Sequence, residues 1–175
     1  MEDYTMTLFT EIENNNINNF ISLIQSGADV NDWEWERGTP LHYAVCHGRY
    51  DMVEILLRSG ADIEGEARGL GDTPVAAAAS ENETEIMRLL LNAGANPNMT
   101  DTDTESTPLI LAASKFDSIQ IMRMLLNSGA DIDGEDPDGR TALWWATFSG
   151  QKENAKFLIE AGADKSLDYN KDLGF

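Results

Sequence analysis

The chain has 175 residues and a mass of 19.3 kDa, with 42% hydrophobic and 25% charged residues, which is one ordinary globular domain's worth of sequence. Asp and Glu number 31 against 12 Lys and Arg, for a formal net charge of −19. That balance excludes a binder that neutralises nucleic-acid phosphates with Lys and Arg, and equally an electrostatic anchor to an anionic membrane; it favours a basic partner.

The N-terminus, Met1-Glu2-Asp3-Tyr4, is acidic where a signal peptide is basic. The longest uncharged apolar stretch, Pro74 to Ala79, is far shorter than the roughly 18 residues of a membrane span. The single cysteine, Cys46, allows neither an internal disulfide nor a cysteine-rich zinc site, and points to a reducing compartment. A soluble, cytoplasmic protein is therefore expected. In that setting the Asn-x-Thr sequons at Asn82 and Asn98 are coincidental.

In chain order, the first segment begins Thr7-Leu8-Phe9-Thr10-Glu11-Ile12 and carries the polar run Asn14-Asn15-Asn16-Ile17-Asn18-Asn19. Four related phrases follow, opening at Thr39-Pro40-Leu41-His42, Thr73-Pro74-Val75-Ala76, Thr107-Pro108-Leu109-Ile110 and Thr141-Ala142-Leu143-Trp144, each 34 residues after the last. A second phrase of Gly-Ala-Asp or Gly-Ala-Asn recurs at Gly27, Gly60, Gly94, Gly129 and Gly162, spaced 33, 34, 35 and 33. Two independent phrases share one period, the signature of a repeat architecture.

Each phrase has a physical task. The threonine hydroxyl caps the free N–H groups of a helix, and proline is tolerated in its first turn. Small alanines then let this helix pack closely on its neighbours. After a turn comes an amphipathic helix, as in Met52-Val53-Glu54-Ile55-Leu56-Leu57. Glycine stands just past its end, where a left-handed cap is required. Every unit reads as helix, turn, helix, long finger. The unit from Thr107 carries one extra residue, placed near Lys115-Phe116-Asp117-Ser118.

This pattern resembles the ankyrin repeat, through Thr-Pro-Leu-His at 39–42, the Leu-Leu-x-x-Gly-Ala-Asp runs and the period. The resemblance implies an all-α solenoid of stacked antiparallel helix pairs with projecting β-hairpin-like fingers. A single domain over 1–175 is expected, with repeats at roughly 5–37, 38–71, 72–105, 106–139 and 140–168 and a short tail at 169–175. The first and last repeats are expected to act as caps with polar outer faces.

Chemistry is hard to find. His42 and His47 lie five apart, about 140° around a helix, so they share no face. His42 occupies the position where the resemblance implies a structural histidine bonded to the neighbouring loop. His47 stands at a variable position, where it is either a contact residue or a neutral surface residue. The acidic stretch Asp131 to Gly139 fails as an EF-hand, because Asp136 and Ala142 stand where glycine and glutamate are needed. It reads as a solvated finger closing in a Pro-Asp-Gly turn. Asp101 to Glu105 reads as another charged finger tip. No phosphate loop, nucleophile elbow or triad is legible, so no enzyme activity, metal or cofactor is expected.

The resemblance implies a partner lying across the finger tips and the first, inner helix of each unit. Trp33 and Trp35, with Glu34 and Glu36, stand on the first finger, where they either contact a partner or lie flat against Tyr43. Trp144, Trp145 and Phe148 stand on the fifth inner helix, with one tryptophan expected to be packed and at least one to face the groove. Glu34, Glu36, Glu66, Glu81, Asp101, Asp103, Glu105, Glu135, Asp136 and Asp138 are expected to form a negative ridge between these aromatics. Tyr43, His47, Arg68 and Lys115 complete the candidate contact residues. The function expected is non-catalytic binding of a basic protein by a chain that is monomeric when free. The alternatives are a stoichiometric inhibitor or immunity protein for a basic enzyme such as a nuclease, and a self-associating structural spacer.

Overall fold

The computed structural model describes residues 7–35, 37–65, 72–101 and 104–167. Among these residues ten α-helices occur in order: α1 Leu8–Glu13, α2 Ile17–Gln25, α3 Pro40–Cys46, α4 Tyr50–Arg58, α5 Pro74–Ser80, α6 Thr84–Asn92, α7 Pro108–Ala113, α8 Ile119–Asn127, α9 Ala142–Phe148 and α10 Lys152–Ala161. The strand pairings among the described residues are two isolated antiparallel bridges at finger bases, Glu34 with Gly38 and Glu135 with Thr141. The all-α repeat expectation holds.

The threonines do what their chemistry suggests. The hydroxyls of Thr39, Thr73 and Thr107 each accept from a backbone N–H three residues on at 3.2 Å, and that of Thr141 does so at 3.3 Å. Thr7 caps α1 in the same way. The polar run of the first unit is also explained. Asn15 takes the left-handed conformation in the turn, and the Asn16 side chain caps α2. The glycines at 27, 60, 94, 129 and 162 all have φ between +86° and +106°, where a side chain would strain the backbone.

Two rows result. The short helices α1, α3, α5, α7 and α9 pack side by side as the inner row, and α2, α4, α6, α8 and α10 form the outer row. Between them runs one continuous core that includes Phe20, Leu41, Leu56, Met87, Leu90, Leu109, Ile121, Leu143 and Leu158. Close approach in the inner row is possible because Ala76, Ala77, Ala78 and Ala79 are all buried and add almost no bulk.

A hydrogen-bond ladder joins successive units. Asn31 Oδ1 accepts from the Asp62 N–H at 2.7 Å, Glu64 Oε1 from the Asn96 N–H at 2.7 Å, Asn98 Oδ1 from the Asp131 N–H at 2.8 Å and Asp133 Oδ1 from the Asp164 N–H at 2.8 Å. The two asparagines also donate through Nδ2 to the carbonyls of Gly60 and Gly129. Within each unit, Asp29, Asp62, Asn96, Asp131 and Asp164 accept from the backbone N–H two residues on. Much of the acidity around the Gly-Ala-Asp phrases therefore closes turns and links repeats.

The extra residue of the fourth unit lies where expected. The segment between α7 and α8 holds Asp117 at φ +54° and is pinned from α10. Asn154 Nδ2 donates to the carbonyls of Ala113 at 3.0 Å and Lys115 at 2.7 Å, and to Ser118 Oγ at 3.0 Å. The Ser118 hydroxyl in turn donates to the Ala112 carbonyl at 2.5 Å.

His42 is structural. It is buried, with Nδ1 3.4 Å from the Arg37 carbonyl and Nε2 3.5 Å from Cys46 Sγ. Burial lowers its pKa below 6.5, against the opposing effect of the Arg37 carbonyl. Because the folded value is depressed, its contribution to stability is complete above the unfolded value and is lost as pH falls below 6.5 toward the folded value. Urea denaturation of His42→Gln is expected to change less than that of the parent between about pH 8 and about pH 5. Equal pH dependence of the two proteins would remove His42 as a source.

Candidate protein-interaction surface

The first finger turns back on itself through the Glu34–Gly38 bridge, with Trp35 inside the turn and Trp33 just before it. Their rings meet edge to face at 5.7 Å. Trp35 is 71% exposed, an unusual state for so large an apolar group. Trp33 is half-buried.

Below them lies a network that the sequence reading missed. Arg37 contacts Glu13 and Glu34, each at 3.0 Å, and its guanidinium sits 5.9 Å from the Phe9 ring and 5.6 Å from the Tyr43 ring. The Tyr43 hydroxyl donates to Glu13 Oε1 at 2.6 Å. Burial, reinforced by that acceptor and its charge, pushes the Tyr43 pKa up to about 12. His47 is the C-cap residue of α3, where its Nδ1–H can donate to the Tyr43 carbonyl at 2.9 Å, and the two rings lie 4.2 Å apart. Tyr43 and His47 are thus neighbours on one half-buried patch.

Cys46 is exposed on one side, but the packing around its thiol, with the nearby charges of Asp72 and Glu81, pushes its pKa up to about 12. A thiolate nucleophile is disfavoured at neutral pH.

The fourth finger and α9 form a second cluster. Arg140 packs over both indoles, 5.3 Å from the Trp144 ring centroid and 4.8 Å from that of Trp145. Arg140 Nε contacts Asp136 Oδ2 at 2.8 Å, and its guanidinium also pairs with Asp138. The Trp145 indole N–H donates to Asp136 Oδ2 at 2.9 Å. The backbone N–H groups of Asp138 and Arg140 occupy Oδ1, at 3.0 and 2.9 Å. Burial acts to raise the Asp136 pKa, but these donors together hold it below the ordinary 3.8. Trp144 stacks on Phe148 at 4.7 Å with an interplanar angle of 14°, and Phe148 is 63% exposed. Trp145 packs against the core while also lining the cleft beside α7.

Two acids depart from the expected ridge. Asp101 is buried, and its carboxylate accepts from the Thr104 N–H at 2.8 Å and binds the Thr104 hydroxyl. Asp136 is buried under Arg140 and Trp145. Both face inward because closing a finger leaves backbone N–H groups that a carboxylate satisfies. Glu81, Glu105, Glu135 and Asp138 are exposed, and Glu34 is half-buried. Lys115 is half-buried in the extended turn. Glu36, Glu66, Arg68 and Asp103 lie outside the described residues.

Phe116, passed over in the sequence, is 82% exposed beside Lys115. Arg37 and Arg140 were legible only as isolated bases. Their proximity in sequence to Trp35 and Trp144 is the one signal that could have marked them.

Among the described residues no His, Cys, Asp or Glu cluster of three or more is arranged to hold a metal ion, and no helix is long and apolar enough to cross a membrane. The surface offers exposed aromatic rings at both ends of the inner row, with exposed carboxylates on the fingers and at α5 between them.

Comparison with known proteins agrees with this architecture. The sequence matches the family described as "Ankyrin repeats (3 copies)" over residues 3–67 and 75–168. It is 30% identical over 163 residues to neurogenic locus notch homolog protein 1 of Xenopus tropicalis, covering 93% of this chain and 6% of that protein. It is 46% identical over 56 residues to the 2-5A-dependent ribonuclease of Homo sapiens, covering 31% of this chain and 8% of the enzyme. It is 35% identical over 60 residues to ankyrin repeat protein OPG189 of vaccinia virus (strain Western Reserve), covering 34% and 10%. The chain spans a tenth or less of the length of these curated relatives. Ankyrin repeats generally mediate contacts between proteins and are typically non-catalytic. The period, the threonine-capped inner helices, the left-handed glycines and the family match over most of its length place this chain in the ankyrin-repeat family.

Proposed function

We propose that this chain is a non-catalytic recognition module that binds a basic protein across its fingers and inner helices. The observation that carries this reading is the exposure of Trp35 and Phe148 on two rigidly held aromatic clusters, one at each end of the inner row. Large aromatic anchors on an ordered scaffold lose little entropy on binding. The net charge of −19 and the exposed Glu81, Glu105 and Glu135 support a basic partner, drawn in faster at low salt. Arg37 and Arg140 neutralise several acids nearest the rings, so affinity rests on the aromatics and the free acids act chiefly on association rate. We propose further that the repeats between residues 5 and 168 work as one domain, monomeric when free.

The test is affinity capture followed by binding measurements on the captured partner. Alanine at Trp33, Trp35 or Trp144 is expected to weaken binding by about 2 kcal/mol or more for at least one of them. Glu105→Ala should cost about 1 kcal/mol or less. Glu54→Ala and Lys156→Ala, on outer helices, should leave binding unchanged. If the outer-helix changes abolish the complex while the tryptophan changes do not, the partner docks on the opposite face.

A further inference from the structure

A cleft of about 290 Å³ opens between the third and fourth fingers, against α7 and α9. Its apolar side is built by Ile110, Leu111 and the Trp145 ring, and the remainder by Thr104, Ser106, Ser114 and the Asp136–Arg140 pair. Small-molecule pockets span roughly 300–1,000 Å³, so this one suits a single side chain better than a cofactor.

The polar groups around the cleft are largely engaged already. Thr104 is bonded to Asp101, and the Ser114 hydroxyl donates to the Leu111 carbonyl at 2.9 Å. Asp136 accepts from four N–H donors, one of them the Trp145 indole. Arg140 is paired with two carboxylates. An apolar guest would therefore leave these bonds intact, whereas a polar guest would find few partners among them. The Trp145 wall is also fixed, with its N–H bonded to Asp136, Arg140 over its face and Trp144 against it at 5.1 Å. A cleft that keeps its shape when empty binds without an ordering cost.

The setting determines what carries the guest. Glu105 stands between two lining residues and Glu135 beside a third, both exposed. Residues flanking the inserted side chain would meet these carboxylates.

We propose that this cleft receives one large apolar side chain, such as Phe, Leu or Met, from a partner segment in which that residue is flanked by Lys or Arg. The inference rests on the recognition surface proposed above and specifies its anchor.

The experiment uses the full chain labelled with ¹⁵N and two short capped peptides, one with phenylalanine between pairs of lysines and one with alanine in its place. The indole N–H signal of Trp145 reports occupancy of the cleft. The phenylalanine peptide is expected to move that signal and to bind at least about tenfold more tightly than the alanine peptide. Ser114→Leu, which fills the cleft from the end of α7, should reduce the preference to less than about twofold. Thr104→Leu, on the exposed finger, provides a second filling variant should the first perturb folding.

Equal affinity of the two peptides overturns the proposal, as does a phenylalanine preference that survives both filling variants. If both peptides bind equally and perturb only Glu105 and Glu135, the cleft assignment fails and the acidic surface stands. If neither peptide binds, the cleft proposal fails, and the wider recognition surface is decided by the capture experiment and its tryptophan variants.

Discussion

Replacing Leu90 with alanine is expected to lower the free energy of unfolding by about 2–5 kcal/mol. Leu90 is fully buried in α6, the middle helix of the outer row. In a stack of repeats stability is held mainly by nearest-neighbour interfaces, and a central unit has one on each side. The α6 helix packs on α5 within its own unit and on α4 and α8 beside it. A cavity at Leu90 therefore weakens contacts that couple the two halves of the stack. Urea denaturation followed by circular dichroism measures the loss. A change below about half a kcal/mol would show that Leu90 is not part of this core.

Asp136→Ala should cost about 3 kcal/mol, although the residue sits on a finger rather than in the apolar core. Its carboxylate is buried and holds four donors, so the change leaves the Trp145 indole, the Arg140 guanidinium and two backbone N–H groups without their shared acceptor. The Trp145 fluorescence should shift as its hydrogen bond is lost. The pH dependence follows from the depressed pKa. Stability from this group is complete above the unfolded value of 3.8 and is lost as pH falls below it toward the folded value. Asp136→Asn, which retains the shape but not the charge, should flatten the acid limb of the stability profile. Full wild-type stability in Asp136→Ala would show that the network is not needed to hold the finger.

These two sites differ in how far the sequence exposed them. The apolar spacing in Ile86, Met87 and Leu90 marks a buried helix face from a single unit, because burial repeats with the helical period. Asp136 looked like one of several acids on an exposed turn. Nothing local separates it from Glu135 or Asp138, which are exposed. What distinguishes it is that its finger folds against α9, where an indole N–H nine residues away and an arginine four residues away converge on one carboxylate.

The sequence by itself determined the repeat, the paired helices of each unit, the threonine caps of the inner row, the left-handed glycine stops of the outer row and the place of the extra residue. All of these depend on backbone preferences and side-chain periodicity within a few residues of one another, so they can be read without knowing what lies alongside. Only the tertiary structure decided which polar groups are spent inside the protein. The ladder from Asn31 to Asp164 crosses from unit to unit, and Asn154 reaches back about one repeat to hold the turn that carries Phe116. Arg37 joins Glu13 to Glu34, while Asp101 turns inward. Such pairings depend on how one repeat is set against the next. A stacking register brings distant donors and acceptors within hydrogen-bond distance, and the preferences of the individual residues do not encode which of them will meet.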